Sequence, residues 1–184
     1  MKHYYMDIQG WFNFEEPYSD AVREAKDGSV FVELGCWKGR SSCFLAVEVV
    51  NSQKDIKLNF VDHWKGSAEP QHDADPEKDL IFSIFTKNLS KAGVAHSIFR
   101  ISTTEAASLF EDNSVDFIWI DAGHEYSEVK ADIEAWWPKL RVNGVMGGDD
   151  LPMNGVKQAV TEKFPYYEAG SKNGWQWWRI RKRS

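Results

Sequence analysis

The stretch Ser29–Ser42, S-V-F-V-E-L-G-C-W-K-G-R-S-S, decides the fold. Val30-Phe31-Val32 is the apolar run of a buried strand. The chain then turns through Gly35 and Gly39, and an apolar helix starts from Arg40-Ser41-Ser42. A strand, a glycine turn and a helix in that order set backbone N–H groups at a helix N-terminus beside a strand's carboxyl end. In α/β sheets that is where ligands bind. Trp37 stands where a dinucleotide G-x-G-x-x-G fingerprint needs its second glycine.

Upstream, residues 1–14 are aromatic and irregular, with Tyr4, Tyr5, Trp11, Phe12 and Phe14. They either cover one face of the sheet or form a lid over a substrate pocket. Pro17, the spacing of Ala21, Val22 and Ala25, and the stop at Gly28 predict a helix over 15–27. Downstream, a helix over about 40–52 is followed by a second strand at 56–62, I-K-L-N-F-V-D. Asp62 closes that strand, where a carboxylate is placed to accept from both hydroxyls of a ribose; it is equally a candidate turn or cap residue.

The segment 63–79 is rich in Gly, Pro, Asp and His, and reads as a solvated loop. His72, Asp73 and Asp75 within it lack the further spaced ligand that would complete a metal site. A helix is expected over about 77–92, a third strand over 94–101, and a short helix from Ser102-Thr103-Thr104-Glu105 to about 110. Asp116–Asp121, D-F-I-W-I-D, is a nearly continuous apolar run and therefore a central strand. A helix with Tyr126, Val129, Ile133 and Trp136 on one face follows, then a strand ending in Asp149-Asp150, then a helix over 155–164. Tyr166–Glu168 and Trp175–Arg181 are the last two strands, expected antiparallel.

One hundred and eighty-four residues suit one domain. It divides into an N-terminal cover and helix (1–28), a core (29–150), and a C-terminal helix with a strand pair (151–184). A net charge of −6 argues against a nucleic-acid binder, and no run of 18 apolar residues is present. Two cysteines, Cys36 and Cys43, make no disulfide framework, which fits a reducing cytoplasm. Nothing in the pattern decides between a monomer and a homodimer.

Glu33-x-Gly35-x-x-x-Gly39 resembles the first motif of the class I S-adenosylmethionine-dependent methyltransferases. Two later stretches strengthen the resemblance. V-D-H-W-K-G at 61–66 is similar to a V-D-x-W-x-G motif of a subset of these methyltransferases, and I-D-A-G-H-E-Y-S-E-V-K-A-D-I at 120–133 to the I-D-G-x-H-x-Y motif of one small O-methyltransferase-like family. The resemblance covers residues 29 to about 165. It implies a Rossmann-like, seven-stranded, mostly parallel α/β sheet with helices on both faces and the last strand antiparallel. It implies S-adenosylmethionine as cofactor, with Glu33, Gly35 and Gly39 at its methionine end, Asp62 on the ribose, Ser102 beside the adenine, and Asp121 touching it. Ser102 is equally placed to cap a helix. A nucleotide-dependent oxidoreductase and a non-catalytic binding protein of the same fold are the alternatives.

Asp121 ends the fourth strand, and Asp149-Asp150 end the fifth, 28 residues later. Neighbouring parallel strand ends lie about 5 Å apart, so these acids converge. A hard divalent cation such as Mg²⁺ would relieve their repulsion. The spacing is like the metal triad of catechol-type O-methyltransferases. His124, three residues after Asp121, is the candidate general base, removing a proton from a hydroxyl of a small-molecule or sugar acceptor. Gly123 stands where related sugar O-methyltransferases carry an acid.

Overall fold

The computed structural model describes residues 1–66, 77 and 80–183. Its centre is a seven-stranded sheet: β1 (Ser29–Leu34), β2 (Ile56–Val61), β3 (His96–Phe99), β4 (Val115–Ile120), β5 (Leu140–Gly148), β6 (Glu168–Lys172) and β7 (Trp175–Arg181), in the order β3-β2-β1-β4-β5-β7-β6. β1 is parallel to β2 and β4, and the β2–β3 and β4–β5 pairs are parallel too. Only β7 runs antiparallel, to β5 on one side and β6 on the other.

The sheet order follows from burial. β1 and β4 bury residues of both faces almost throughout, so they belong in the middle with layers on either side. One layer consists of the N-terminal segment, α1 (Glu15–Glu24), α2 (Arg40–Ser52) and α3 (Ile81–Ser90), packed with Phe31, Phe60 and Trp119. The other consists of α4 (Thr103–Ala107), α5 (Tyr126–Trp136) and α6 (Asn154–Lys163), packed with Leu34, Ile118 and Met146. The aromatic N-terminus is largely a core element: Phe14 and Tyr18 are fully buried, and Phe14 lies 4.8 Å from Trp119, ring to ring.

Some boundaries moved. The first helix stops at Glu24, because Ala25 has already left helical geometry. β3 is confined to His96–Phe99, where it faces β2; Val94 and Ile101 lie outside the ladder. The helix expected over 77–92 runs over Ile81–Ser90, and His72, Asp73 and Asp75 lie outside the described residues.

The chain runs outward from β1 to β2 and β3, then returns to β4 on the other side of β1. A crevice therefore opens between the carboxyl ends of β1 and β4. The strand ends stay joined to its edge: Asp121 N–H donates to Leu34 O at 2.8 Å, and Gly35 N–H to Val61 O at 2.9 Å.

Candidate active site

The glycine turn forms one wall of the crevice. Gly35 sits at φ +83 and Gly39 at φ +88, and Gly39 is the N-cap of α2, which has no side-chain cap of its own. A Cβ on Gly35 would meet the backbone of Asp121 and Ala122, so glycine is required there by the close approach of the neighbouring strand's turn.

Glu33 lies beneath this turn, 1% exposed. Ser41 Oγ donates to its Oε1 at 2.5 Å, while Oε2 has no hydrogen-bond partner among the described residues. Burial pushes the Glu33 carboxyl up to about 7, against the hydroxyls of Ser41, Ser42 and Tyr18, which favour the ionised form. An orphaned, buried carboxylate oxygen below a helix N-terminus fits the ammonium of an amino-acid ligand, directly or through water.

Asp62 is placed at the end of β2, as expected, but its carboxylate already has partners. Oδ2 accepts from the backbone N–H groups of Cys36 at 2.9 Å and Trp37 at 3.0 Å, and Oδ1 accepts from Trp64 N–H at 2.6 Å. Ser102 takes the capping role of its two candidate roles. Its hydroxyl donates to Glu105 Oε2 at 2.6 Å and accepts from Glu105 N–H, closing a capping box on α4. Behind it Thr103 Oγ1 donates to buried Asp132 at 2.5 Å, which anchors the start of α4 to α5.

The second wall is a cleft at the ends of β4 and β5 lined by Asp121, Gly123, His124, Asp149, Asp150 and Trp178. The group expected to gather around a cation was Asp121, Asp149 and Asp150. The structure brings together Asp121, His124 and Asp150 instead, with one ligand atom of each within 4.8 Å of the others. His124 Nε2 lies 2.8 Å from Asp150 Oδ2. Asp150 points there because it leaves the strand at φ +56, whereas Asp149 continues the strand's burial at 6% exposure. Asp149 Oδ1 has no partner among the described residues. Burial first, then Asp150, pushes the Asp149 carboxyl up to about 7. Burial, then Asp149 and Asp150, pushes Asp121 well above the usual carboxylate range.

Two further residues gave no sequence signal. Tyr18, from α1, is fully buried beside Glu33. Lys38 is 2% exposed; its Nζ donates to Gln9 Oε1 at 2.8 Å and Glu77 Oε2 at 2.9 Å, and lies 4.9 Å from the Trp37 ring centroid. A lysine in a glycine turn reads as solvated, and only the tertiary fold reveals its burial.

This crevice, with its glycine turn and buried acid, has the form of a class I S-adenosylmethionine-dependent methyltransferase. Residues 32–151 match the family described as a methyltransferase domain, and the chain belongs to that family. The oxidoreductase alternative is thereby set aside. Among curated proteins, protein y4gI of Sinorhizobium fredii is 30% identical over 115 residues, 62% of this chain. The matched part is 12% of y4gI, so the chain corresponds to a small fraction of that relative.

Solved structures share the fold. A SAM-dependent O-methyltransferase from Thermotoga maritima superposes with a TM-score of 0.65 at 13% identity, covering 96% of this chain and 68% of that one. SMU.1697c from Streptococcus mutans, in complex with SAH, gives 0.67 at 9% identity, covering 95% and 99%. An rRNA methylase from Streptococcus thermophilus gives 0.64 at 15% identity, covering 91% and 95%. Their named acceptors differ, so the shared fold does not carry the acceptor. Among the described residues no helix is long and apolar enough to cross a membrane.

Proposed function

We propose that this methyltransferase acts on a hydroxyl oxygen of a small molecule or sugar, with His124 as general base. The observation that carries the reading is the His124–Asp150 contact of 2.8 Å at the carboxyl ends of β4 and β5. A carboxylate only accepts, so Nε2 carries a proton in this contact, which holds the imidazole ring at the cleft. Asp150 also favours the imidazolium that forms when His124 takes the acceptor's proton. The N-terminus of α5, which begins at Tyr126, opposes that charge. S-adenosylmethionine supplies the electrophilic methyl group. In this reading Glu33 takes its ammonium, the glycine turn borders its methionine part, and Asp62 lies beside its ribose. The rate then comes from alignment in the crevice together with proton removal. A net charge of −6 favours a small acceptor over a nucleic acid.

A second reading has its own support. Clustered Asp121, His124 and Asp150, with the orphaned Asp149 Oδ1 beside them, form a donor set that fits a divalent cation. His124 would then be a ligand rather than the base. An imidazole among carboxylates suits Mn²⁺ or a later transition ion better than Mg²⁺.

Transfer of label from S-adenosylmethionine to a panel of hydroxylated acceptors, with and without EDTA, tests both. Turnover in chelator that His124→Gln abolishes supports the base. Turnover that chelator abolishes and Mn²⁺ restores supports the cation. Label transfer to no hydroxyl in a broad panel removes the O-directed reading.

A further inference from the structure

Asp62 was expected to grip a ribose, yet its acceptor capacity is mostly spent within the protein. A carboxylate offers about four lone-pair sites, two per oxygen. Cys36 and Trp37 N–H occupy both on Oδ2, and Trp64 N–H occupies one on Oδ1. One site on Oδ1 remains. A two-oxygen grip on a ribose diol would require Asp62 to release the glycine turn.

The turn needs that hold. Trp37 sits at φ +44, a region bulky side chains adopt only when their surroundings impose it. Its peptide groups are held on both sides from one short segment. Asp62 accepts its N–H, and Trp64 Nε1 donates to its carbonyl at 3.0 Å. Trp64 itself is at φ +50, with its N–H on Asp62. A further contact fixes the next peptide: Asn88 Nδ2 donates to Lys38 O at 3.0 Å. The β2 end and the glycine turn therefore lock each other, with Asp62 at the junction.

We infer that Asp62 is a positioning residue: it presets the Cys36–Trp37 backbone for the cofactor and gives the ribose at most one acceptor site. Two amides of the turn are then unavailable to the ligand, and the methionine carboxylate must be met further along, at the N-terminus of α2. The inference rests on the family's cofactor and is independent of the acceptor and the base.

The test uses the full chain in two measurements. In the ligand-free protein, NMR hydrogen exchange at Cys36 and Trp37 is compared between the parent, Asp62→Asn and Asp62→Ala. Protection in the parent, lost by about tenfold or more in Asp62→Ala, is expected, as for opening of a local hydrogen-bonded unit. Calorimetry then compares S-adenosylhomocysteine with its 2′,3′-dideoxyribose analogue. A positioning residue weakens both ligands by the same factor on Asp62→Ala. A loss of about tenfold or more confined to the ribose-bearing ligand, as for a lost charge-assisted hydrogen bond, overturns the inference. So does rapid exchange of both amides in the parent, which needs no variant to fold. Failure of the parent to bind S-adenosylhomocysteine would count against the cofactor reading, while the exchange result still judges the clamp.

Discussion

A Cβ atom on Gly35 would lie 2.0 Å from the carbonyl oxygen of Asp121. The glycine turn after β1 and the acidic cleft are thus joined backbone to backbone. Gly35→Ala must strain a φ of +83 and displace the Asp121 peptide together. It is expected to cost roughly 2–5 kcal/mol of stability, read by urea unfolding. A variant that unfolds at the parental urea midpoint would show that the two turns can separate freely.

His124→Gln keeps a polar side chain at the cleft but removes the proton acceptor. Methyl-transfer rates should fall roughly 10²–10⁴-fold, with cofactor affinity little changed and the acidic limb of the pH–rate profile gone. Parental turnover with an unaltered profile would return His124 to a structural role.

The cleft's response to chelation separates the two chemistries. With His124 on Asp150 as base, EDTA leaves turnover within about twofold, far from the several kcal/mol that a working Lewis acid supplies. Abolition by EDTA and recovery with Mn²⁺ would instead make His124 and the two aspartates ligands.

Stability should rise as the pH falls from 8 towards 5.5. Glu33 and Asp149 are pushed up to about 7 and Asp132 to about 6, from ordinary values of 4.5, 3.8 and 3.8. Between the unfolded and folded values the native state holds protons that the unfolded chain has lost. The slope of unfolding free energy with pH is therefore negative there: stability is fully present below about pH 4 for these groups and lost as pH rises through 6 and 7. Melting temperature should climb by on the order of several °C across that interval in the ligand-free protein. The cofactor's positive groups should drive the proton off Glu33, so binding at pH 6.5 releases protons, measurable by calorimetry in two buffers. A melting temperature flat from pH 8 to 5.5 would contradict the burial of these carboxyls.

Much of this site was legible from short-range pattern. Apolar runs placed β1, β2 and β4, and their order put Gly35, Asp62 and Asp121 at one edge. Ser102 and Glu105 showed a capping box in their spacing, although the same serine was equally placed to meet an adenine. Contacts set by exit geometry were not legible. Asp149 and Asp150 are adjacent and identical in type, and only the positive φ of Asp150 turns one to His124 while the other stays buried. Asp62 meets Cys36 and Trp37 across 25–26 residues through two turns, a pairing that strand periodicity does not encode.

Lys38 bears on timing rather than on chemistry. One ammonium, 2% exposed, bonds to Gln9 of the N-terminal segment and Glu77 from beyond β2 while its own backbone belongs to the glycine turn. Swinging either neighbour outward takes one partner from a buried cation, so such a movement should be slowed by the cost of rehydrating that charge. Lys38→Met removes the penalty and keeps the side chain's length. Stopped-flow dissociation of S-adenosylhomocysteine should then be faster, with the equilibrium position of the turn preserved by Asp62. An unchanged off-rate would mean that ligand escapes without moving either strand of this latch. A faster off-rate in Lys38→Met would mean that product dwell time depends on a side chain bonded to Gln9 and Glu77, outside the Asp121–His124–Asp150 cleft.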